Sequence, residues 1–291
     1  METALLNWAT KVSTSDETPA ARPLMQPGQI DQKWFKALFG EEKEVDRMIK
    51  LLKELDEADD DRRLDILGDL EYMCELTHNA NDLTKIGGLE KTFQYIAMDN
   101  EEIQVSALNL IGICIPNNPI FSEALMSNEK WFALLFDLFQ QKSSEKLQSK
   151  AFWAISGLVK ALPGAFDAFI SNPKYLDSLL ATLSSHSNLR VLRRAINLMS
   201  FIEAEKPSAL GQDLPSLLVK CLREIDDTDC HEQIVLLLQK LHDRGEKFDD
   251  DAQEALIQTR EATMANIEND HDPEVLLSGI EELIKAIAIK P

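Results

Sequence analysis

The sequence predicts an all-α fold, a right-handed α-solenoid of armadillo-like repeats with a helical cap at each end. One observation is a short motif, with a small or polar pair before a large apolar residue, found at residues 79–89, 126–131 and 170–175. The later copies are about 44 residues apart, a helical period typical of armadillo and HEAT arrays. Apolar runs at 106–112, 151–157 and 195–201 recur at nearly the same period. No segment alternates as a strand does.

The N-terminal part is predicted to contain a flexible segment and then a cap. Residues 1–29 form the flexible segment, because the Ser, Thr, Pro and Gly residues after position 12 cannot bury enough apolar surface to offset the entropy of ordering. Residues 30–60 form the N-terminal helical cap, in which Trp34, Phe35 and Leu38 have helical spacing before Gly40.

The repeats are predicted to occupy residues 61–212, in about four units. Their third and longest helices, which line the concave side of an armadillo array, are predicted at 61–77, 101–115, 145–161 and 188–204. Four prolines fall at predicted boundaries, as first-turn prolines should: Pro163, Pro173, Pro207 and Pro215. Residues 213–291 read as amphipathic helices with acidic outer faces, at 214–224, 232–244, 249–268 and 274–289, and we assign them to the C-terminal helical cap.

The charge balance limits the partners that this chain can have. Its 291 residues carry a formal charge of −20. Binding to nucleic acid or to an anionic membrane requires clustered Lys and Arg, so both are disfavoured. No run approaches the roughly 18 apolar residues of a membrane span, and the first 12 residues do not form a secretory signal. We therefore expect a monomer that is located in the cytoplasm, and the nucleus is a second expected location.

Searches for chemistry find no catalytic, metal or cofactor site. Phosphate-binding loops, nucleophile elbows and zinc motifs are all missing from the sequence. Cys221, Cys230 and His231 suggest a metal, but a structural zinc ion needs four ligands, so we reject that interpretation. The other histidines lie near polar helix ends without a partnered Ser or Cys, and they are His78, His186, His242 and His271. We therefore predict that the chain is not an enzyme and binds no cofactor.

The concave side is the expected binding surface. Armadillo units that bind extended basic peptides carry a Trp on the third helix and an Asn four residues later. The corresponding pairs here are Glu71 and Glu75, Leu108 and Gly112, Trp153 and Gly157, and Asn197 and Phe201. Because the ladder of Trp and Asn is missing, a peptide-threading adaptor is disfavoured.

The third helices instead predict docking of a folded domain. Glu71 and Glu75 lie toward one end, and a set of cations with one tryptophan lies toward the other: Lys150, Trp153, Arg190, Arg193 and Arg194. Arg194, Asn197 and Phe201 share a helix face. Arg and Trp are frequent anchors of protein interfaces. The alternative is that the arginines pair with Asp or Glu of the adjacent helix, and the sequence leaves both open.

Several segments resemble one protein family. They are 5–9 (Leu-Leu-Asn-Trp-Ala), 38–40 (Leu-Phe-Gly), 79–83 (Asn-Ala-Asn-Asp-Leu) with 85–89 (Lys-Ile-Gly-Gly-Leu), and 117–119 (Asn-Asn-Pro). Over residues 4–205 the chain resembles the armadillo-type nucleotide exchange factors of cytosolic heat-shock 70 chaperones. The resemblance implies an inert solenoid that grips one lobe of the chaperone's ATPase domain, accelerates ADP release and promotes client release. The alternative is a generic armadillo scaffold without exchange activity.

The resemblance also implies roles for single residues. Ala80, next to Asn79 at the first repeat junction, and Arg194 match positions that lie against the chaperone, where a small side chain at 80 would permit close approach. It further implies that the N-terminal segment competes for the chaperone's peptide groove, through Leu5 and Leu6 or through Leu24 and Met25. The Gly-Gly pair of the first junction is replaced by Glu129-Lys130 and Pro173-Lys174 in the later copies.

Overall fold

The computed structural model describes residues 43–140, 144–185, 188–265 and 274–288, and the regular elements there are all helical. They are α1 Glu44–Glu57, α2 Asp60–Cys74, α3 Thr77–Lys85, α4 Gly88–Ile96, α5 Glu101–Cys114, α6 Pro119–Met126, α7 Glu129–Gln140, α8 Glu145–Ala161, α9 Pro163–Ile170, α10 Pro173–Ala181, α11 Leu189–Glu205, α12 Leu214–Glu224, α13 Thr228–Asp243, α14 Asp250–Ala265 and α15 Glu274–Ala288. A 3-10 turn at Thr182–Ser184 follows α10.

The helices stack into a solenoid. Three triplets, α3–α5, α6–α8 and α9–α11, follow the pair α1–α2 and precede the pairs α12–α13 and α14–α15. The third helix of each triplet and the second helix of each pair form what we call the inner row, in which each helix packs on the next: α2, α5, α8, α11, α13 and α15. The predicted α-solenoid is therefore confirmed, and the helices predicted at 101–115, 145–161 and 188–204 are α5, α8 and α11.

Three helices of the inner row, α5, α8 and α11, begin with the same kind of N-cap. Asn100, Ser144 and Asn188 precede α5, α8 and α11, and the side-chain oxygen of each accepts a backbone N–H of its own helix. Each cap also donates to the start of the preceding inner helix. Asn100 Nδ2 is 2.9 Å from Asp60 Oδ2, Ser144 Oγ is 2.8 Å from Glu101 Oε1, and Asn188 Nδ2 is 3.0 Å from the Glu145 carbonyl oxygen. These bonds fix the register between successive repeats.

The junction between the first two helices of a triplet explains why the Gly-Gly pair is not repeated. Gly87, between α3 and α4, has φ 76°, a left-handed conformation that favours glycine. In the third triplet the residue that precedes the second helix, as Gly87 precedes α4, is Asn172, with φ −104°, and no residue at 128–130 or 172–174 has a positive φ. Since neither later junction contains a left-handed residue, these junctions have no need of glycine.

The α13 helix begins earlier than the sequence indicated. Its first residue is Thr228, whereas the apolar pattern predicted a start at residue 232. Asp227 causes the difference, because its carboxylate accepts the Cys230 backbone N–H at 2.9 Å and so starts the helix before its apolar face begins. The first turn of α13 is therefore held by a cap.

A buried carboxylate ties α11 to α13. Glu203 is 2% exposed, and it accepts the backbone N–H groups of Ser208 and Leu210 at 2.9 and 3.2 Å. Its charge is balanced by Arg244, whose Nη1 is 3.1 Å from Glu203 Oε2. The bonds around Glu203 therefore hold the loop after α11 against the end of α13.

Two of the sequence expectations concern residues outside the described ranges. The segment 1–29 lies there completely, with the candidate client-release residues Leu5, Leu6, Leu24 and Met25, and so do residues 30–42 of the cap at 30–60. In the part that the structure describes, no single helix is long and apolar enough to cross a membrane. Only α8 and α9 together pass that test, as a pair bent by 115°.

Candidate protein-binding site on the inner row

The centre of the candidate site is Trp153, on α8, whose ring lies against α5. The neighbouring α5 residue is Gly112, which is buried. A Cβ atom at position 112 would lie 2.3 Å from Cζ3 and 2.4 Å from Cε3 of the Trp153 ring. Real Cβ atoms do not approach ring carbons so closely, so the ring can occupy this position only because residue 112 has no side chain.

Two cations lie against the same ring. Lys150 Nζ is 5.3 Å from the ring centroid, and Arg194 Cζ, from α11, is 5.8 Å from it. Both distances are within the range of cation–π attraction. Arg194 Nη1 also donates to the carbonyl oxygen of Ser149 at 2.8 Å and to Ser149 Oγ at 3.0 Å. Three successive inner helices thus meet in what we call the Trp153 cluster, defined by Gly112, Lys150, Trp153 and Arg194.

The cluster carries positive charge that is partly removed from water. Burial lowers the pKa of Lys150, against the nearby Glu71 carboxylate, which raises it. Burial also lowers the pKa of Arg194, and the charge of Arg190 lowers it further. On the other side, burial raises the pKa of Glu71 and the charge of Lys150 opposes that rise. Glu71, on α2, is therefore coupled electrostatically to the cluster.

Arg193 does not join this cluster. Its Nε lies 3.0 Å from Asp227 Oδ1 and its Nη1 lies 2.8 Å from Asp229 Oδ2, both at the start of α13. Burial raises the pKa of Asp227, but hydrogen bonds from Arg193 and Cys230 outweigh it and bring that pKa to about 2. For Arg193 the alternative of pairing with an adjacent acidic residue is therefore the correct one.

Asn79 and Ala80 also require a correction. Each is 1% exposed, and Asn79 Nδ2 donates to Glu44 Oε2 at 2.7 Å and to the Met73 carbonyl oxygen at 2.9 Å. The expectation that a small residue at position 80 lets a partner approach is wrong as stated, because the protein's own helices already fill that space. Both residues instead hold α3 against the end of α2.

The remaining predicted residues lie near the cluster without contacting its ring. Glu75, directly after α2, and Arg190, on α11, are exposed. Asn197, also exposed, accepts a hydrogen bond from Lys160 of α8. Of the ten predicted chaperone-contact residues, the structure brings Lys150 and Arg194 against the ring of Trp153.

Two contributors were missed by the sequence analysis, Gly112 as the residue beneath the ring and Ser149 as the acceptor for Arg194. A signal for Gly112 existed, because a glycine within the apolar run 106–112 interrupts a strongly helical pattern. Nothing in the sequence indicated that the ring of Trp153 would cover it. The contact joins residues in neighbouring repeats, and side-chain orientation decides it.

Cys221, Cys230 and His231, which the sequence suggested as metal ligands, have ordinary structural surroundings. Cys221 and Cys230 are buried free thiols, and burial raises the pKa of Cys221 to about 12. The ring of His231 forms a hydrogen bond of 2.8 Å between Nε2 and the Ile225 carbonyl oxygen. No group of three or more potential metal ligands is found among the residues that the structure describes.

The chain is similar to known proteins in sequence and in fold. Residues 3–83 match the family described as nucleotide exchange factor Fes1. The chain is 25% identical over 262 residues to the Hsp70 nucleotide exchange factor FES1 of Saccharomyces cerevisiae, with 84% of this chain and 88% of that protein covered. It is 22% identical over 260 residues to FES1 of Eremothecium gossypii, with coverage of 85% and 88%.

The chain is similar over most of its length to the Fes1 nucleotide exchange factors. The resemblance to armadillo-type exchange factors that the sequence indicated is thereby confirmed. Solved structures agree on the fold of this chain. One is titled as computationally designed armadillo repeat proteins for modular peptide recognition, with a TM-score of 0.59, 18% identity and coverage of 82% of this chain and 99% of that one. An engineered protein has a TM-score of 0.61 at 17% identity, with coverage of 82% and 98%. The likeness to these two structures shows the armadillo fold alone.

Proposed function

We propose that the chain is a nucleotide exchange factor of an Hsp70 chaperone, which binds the chaperone's ATPase domain and accelerates the release of ADP. The observation that carries this proposal is the Trp153 cluster on the inner row, in a chain whose relatives over most of its length are named Hsp70 nucleotide exchange factors. We further propose that it acts as a monomer in the cytoplasm, and that no step of its action requires a cofactor.

The cluster has the composition of an interface anchor. Trp and Arg are enriched among the residues that contribute most to protein binding. Lys150 and Arg194 are already partly desolvated by the fold, so a partner that covers them incurs less of the dehydration cost. Arg194 is held by two hydrogen bonds to Ser149, which reduces the entropy lost when it is fixed in an interface.

Exchange requires differential binding and no chemistry by the protein. A partner shifts a conformational equilibrium only by the difference between its affinities for the two states. If the solenoid binds the ATPase domain with an open nucleotide cleft better than the closed one, ADP is held more weakly. A hundredfold effect requires a preference of about 2.7 kcal/mol. A few anchors in an interface of ordinary size can supply that difference.

Stopped-flow release of a fluorescent ADP from a full-length cytosolic Hsp70 chaperone tests the proposal. We expect the release rate to rise with the concentration of the chain and then to saturate. Trp153→Ala should need a concentration about tenfold higher for half saturation, as expected for an aromatic anchor. A release rate that stays constant at saturating concentration would refute the exchange function.

The scaffold alternative gives a different result in the same experiment. A scaffold binds the chaperone, as measured by isothermal titration calorimetry, but leaves ADP release unchanged. Val275→Ala, at an exposed position on α15, is a suitable control for both measurements, because Val275 is 61% exposed and lies on the last helix of the inner row.

A further inference from the structure

Gly112 lies within a helix, where the backbone conformation does not require glycine. Glycine within a helix costs about 1 kcal/mol relative to alanine, so it is unfavourable unless something needs its missing side chain. Here the ring of Trp153 occupies the space, and three of its carbons lie within 2.9 Å of where a Cβ would be. Gly68, on α2, offers a direct comparison, because a Cβ there would meet nothing within 4 Å.

The orientation of the Trp153 ring decides where two charges lie. Lys150 is on the same helix as Trp153, and Arg194 reaches the ring from the next inner helix. If a methyl group at position 112 displaced the ring, both cation–π contacts would change together. Gly112 lies on α5, whereas Lys150 and Trp153 lie on α8 and Arg194 on α11. The contact at Gly112 therefore links the geometry of all three helices.

The charge of this surface is not neutralised by ion pairs within the described residues. Arg193 forms ion pairs with Asp227 and Asp229, but no ion pair involves Lys150, Arg190 or Arg194 in the ranges 43–140, 144–185, 188–265 and 274–288. Glu71 influences Lys150 through its field. A local excess of positive charge in a chain with a net charge of −20 is suited to an anionic group on a partner.

We propose that Gly112 is a positioning residue, which sets the Trp153 ring so that Lys150 and Arg194 form a seat for a carboxylate-bearing segment of the chaperone. This inference rests on the proposed function. A carboxylate fits better than a nucleic-acid phosphate, because the surrounding charge of −20 repels a polyanion, whereas a single Asp or Glu side chain approaches only the local cations. The indole ring supplies an apolar surface for the methylene groups of that segment.

A double-mutant cycle between positions 112 and 153 tests the positioning role. Binding to the full-length chaperone is measured by isothermal titration calorimetry for the wild type, Gly112→Ala, Trp153→Ala and the double variant. We expect about tenfold weaker binding for each single variant, and no further loss in the double variant, because both changes remove the same ring position. Gly68→Ala is the matched control and should bind as the wild type does.

The outcomes of the cycle are distinct. Equal binding by Gly112→Ala and Gly68→Ala would overturn the proposal, and so would a double variant several-fold weaker than Trp153→Ala. If Gly112→Ala does not fold, the double variant lacks the clashing ring, and its comparison with Trp153→Ala decides the question. Should the wild type fail to accelerate ADP release, the proposed function fails. If the wild type accelerates release while the cycle is additive, only this inference fails.

The carboxylate is tested by ionic strength. Between 50 and 300 mM NaCl, the wild-type affinity for the chaperone should fall several-fold as the attraction is screened. A variant with both Lys150→Gln and Arg194→Gln should bind more weakly and lose most of this salt dependence. An unchanged salt dependence in that variant would exclude a carboxylate as the occupant.

Discussion

Arg193 and Arg194 are adjacent in α11 and contact opposite neighbours. Arg193 forms ion pairs with Asp227 and Asp229, at the start of the following inner helix. Arg194 points back to the preceding inner helix, where it bonds Ser149 and lies over the ring of Trp153. The first arginine therefore joins two repeats, and the second contributes to the candidate binding surface.

Substitution of these two residues should separate stability from binding. Arg193→Gln should lower the free energy of unfolding by about 1 kcal/mol, because its ion pairs are partly exposed, and leave ADP release almost unchanged. Arg194→Gln should weaken chaperone binding by about tenfold with a smaller loss of stability. Thermal unfolding and the ADP-release titration measure the two effects, and similar effects in both variants would contradict this division.

The pH dependence of stability should show the contribution of the ion pair between Asp227 and Arg193. The folded-state pKa of Asp227 is about 2, below its ordinary value of 3.8, so the ionised carboxylate stabilises the fold above pH 4. This contribution, roughly 1 kcal/mol after allowance for the exposed Arg193, is lost as the pH falls from about 4 to about 2. Asp227→Asn should therefore have a lower melting temperature than the wild type at pH 7, and the difference should shrink at pH 3.

The choice of asparagine makes that comparison specific to charge. Asparagine caps a helix about as well as aspartate does, so the variant keeps the start of α13. A difference in melting temperature that is the same at both pH values would show that the charge of Asp227 contributes nothing.

Ala80→Arg should act through folding. Ala80 is 1% exposed, and a buried arginine without a partner is expected to cost several kcal/mol. We expect a large fall in melting temperature together with the loss of ADP-release activity. Ala133→Arg is a suitable control, because Ala133 is exposed on α7 and should tolerate the change. An Ala80→Arg variant with normal stability and no chaperone binding would instead support direct contact at this position.

Ser144→Ala should lower the stability of the fold by removing bonds that fix the register between α5 and α8. Its hydroxyl accepts the Leu147 N–H at 3.2 Å and donates to Glu101 at 2.8 Å, so both the helix cap and the tie to α5 are lost. A cap contributes about 1 kcal/mol, which corresponds to a melting temperature lower by about 2–4 °C. Ser216→Ala, at an exposed position within α12, is the control and should change the melting temperature by less than that.

The repeat pattern was sufficient to predict the fold and insufficient to predict the site. Helical periodicity located α5, α8 and α11 within one residue at each end, since apolar spacing and capping residues are local properties. Contacts between repeats depend on which way a side chain turns. The sequence therefore could not distinguish Arg193 from Arg194, nor show that the space around Ala80 was already filled.

The Trp153 cluster draws its members from three consecutive repeats, with Gly112 on α5, Lys150 and Trp153 on α8 and Arg194 on α11. Flexing of the array changes the spacing of these helices, and the contacts over the indole ring change with it. A partner that touches all three helices at once consequently selects one degree of bend. Bound to its chaperone, the array should become stiffer, and amide hydrogens of α5, α8 and α11 should exchange more slowly in the complex than in the free chain.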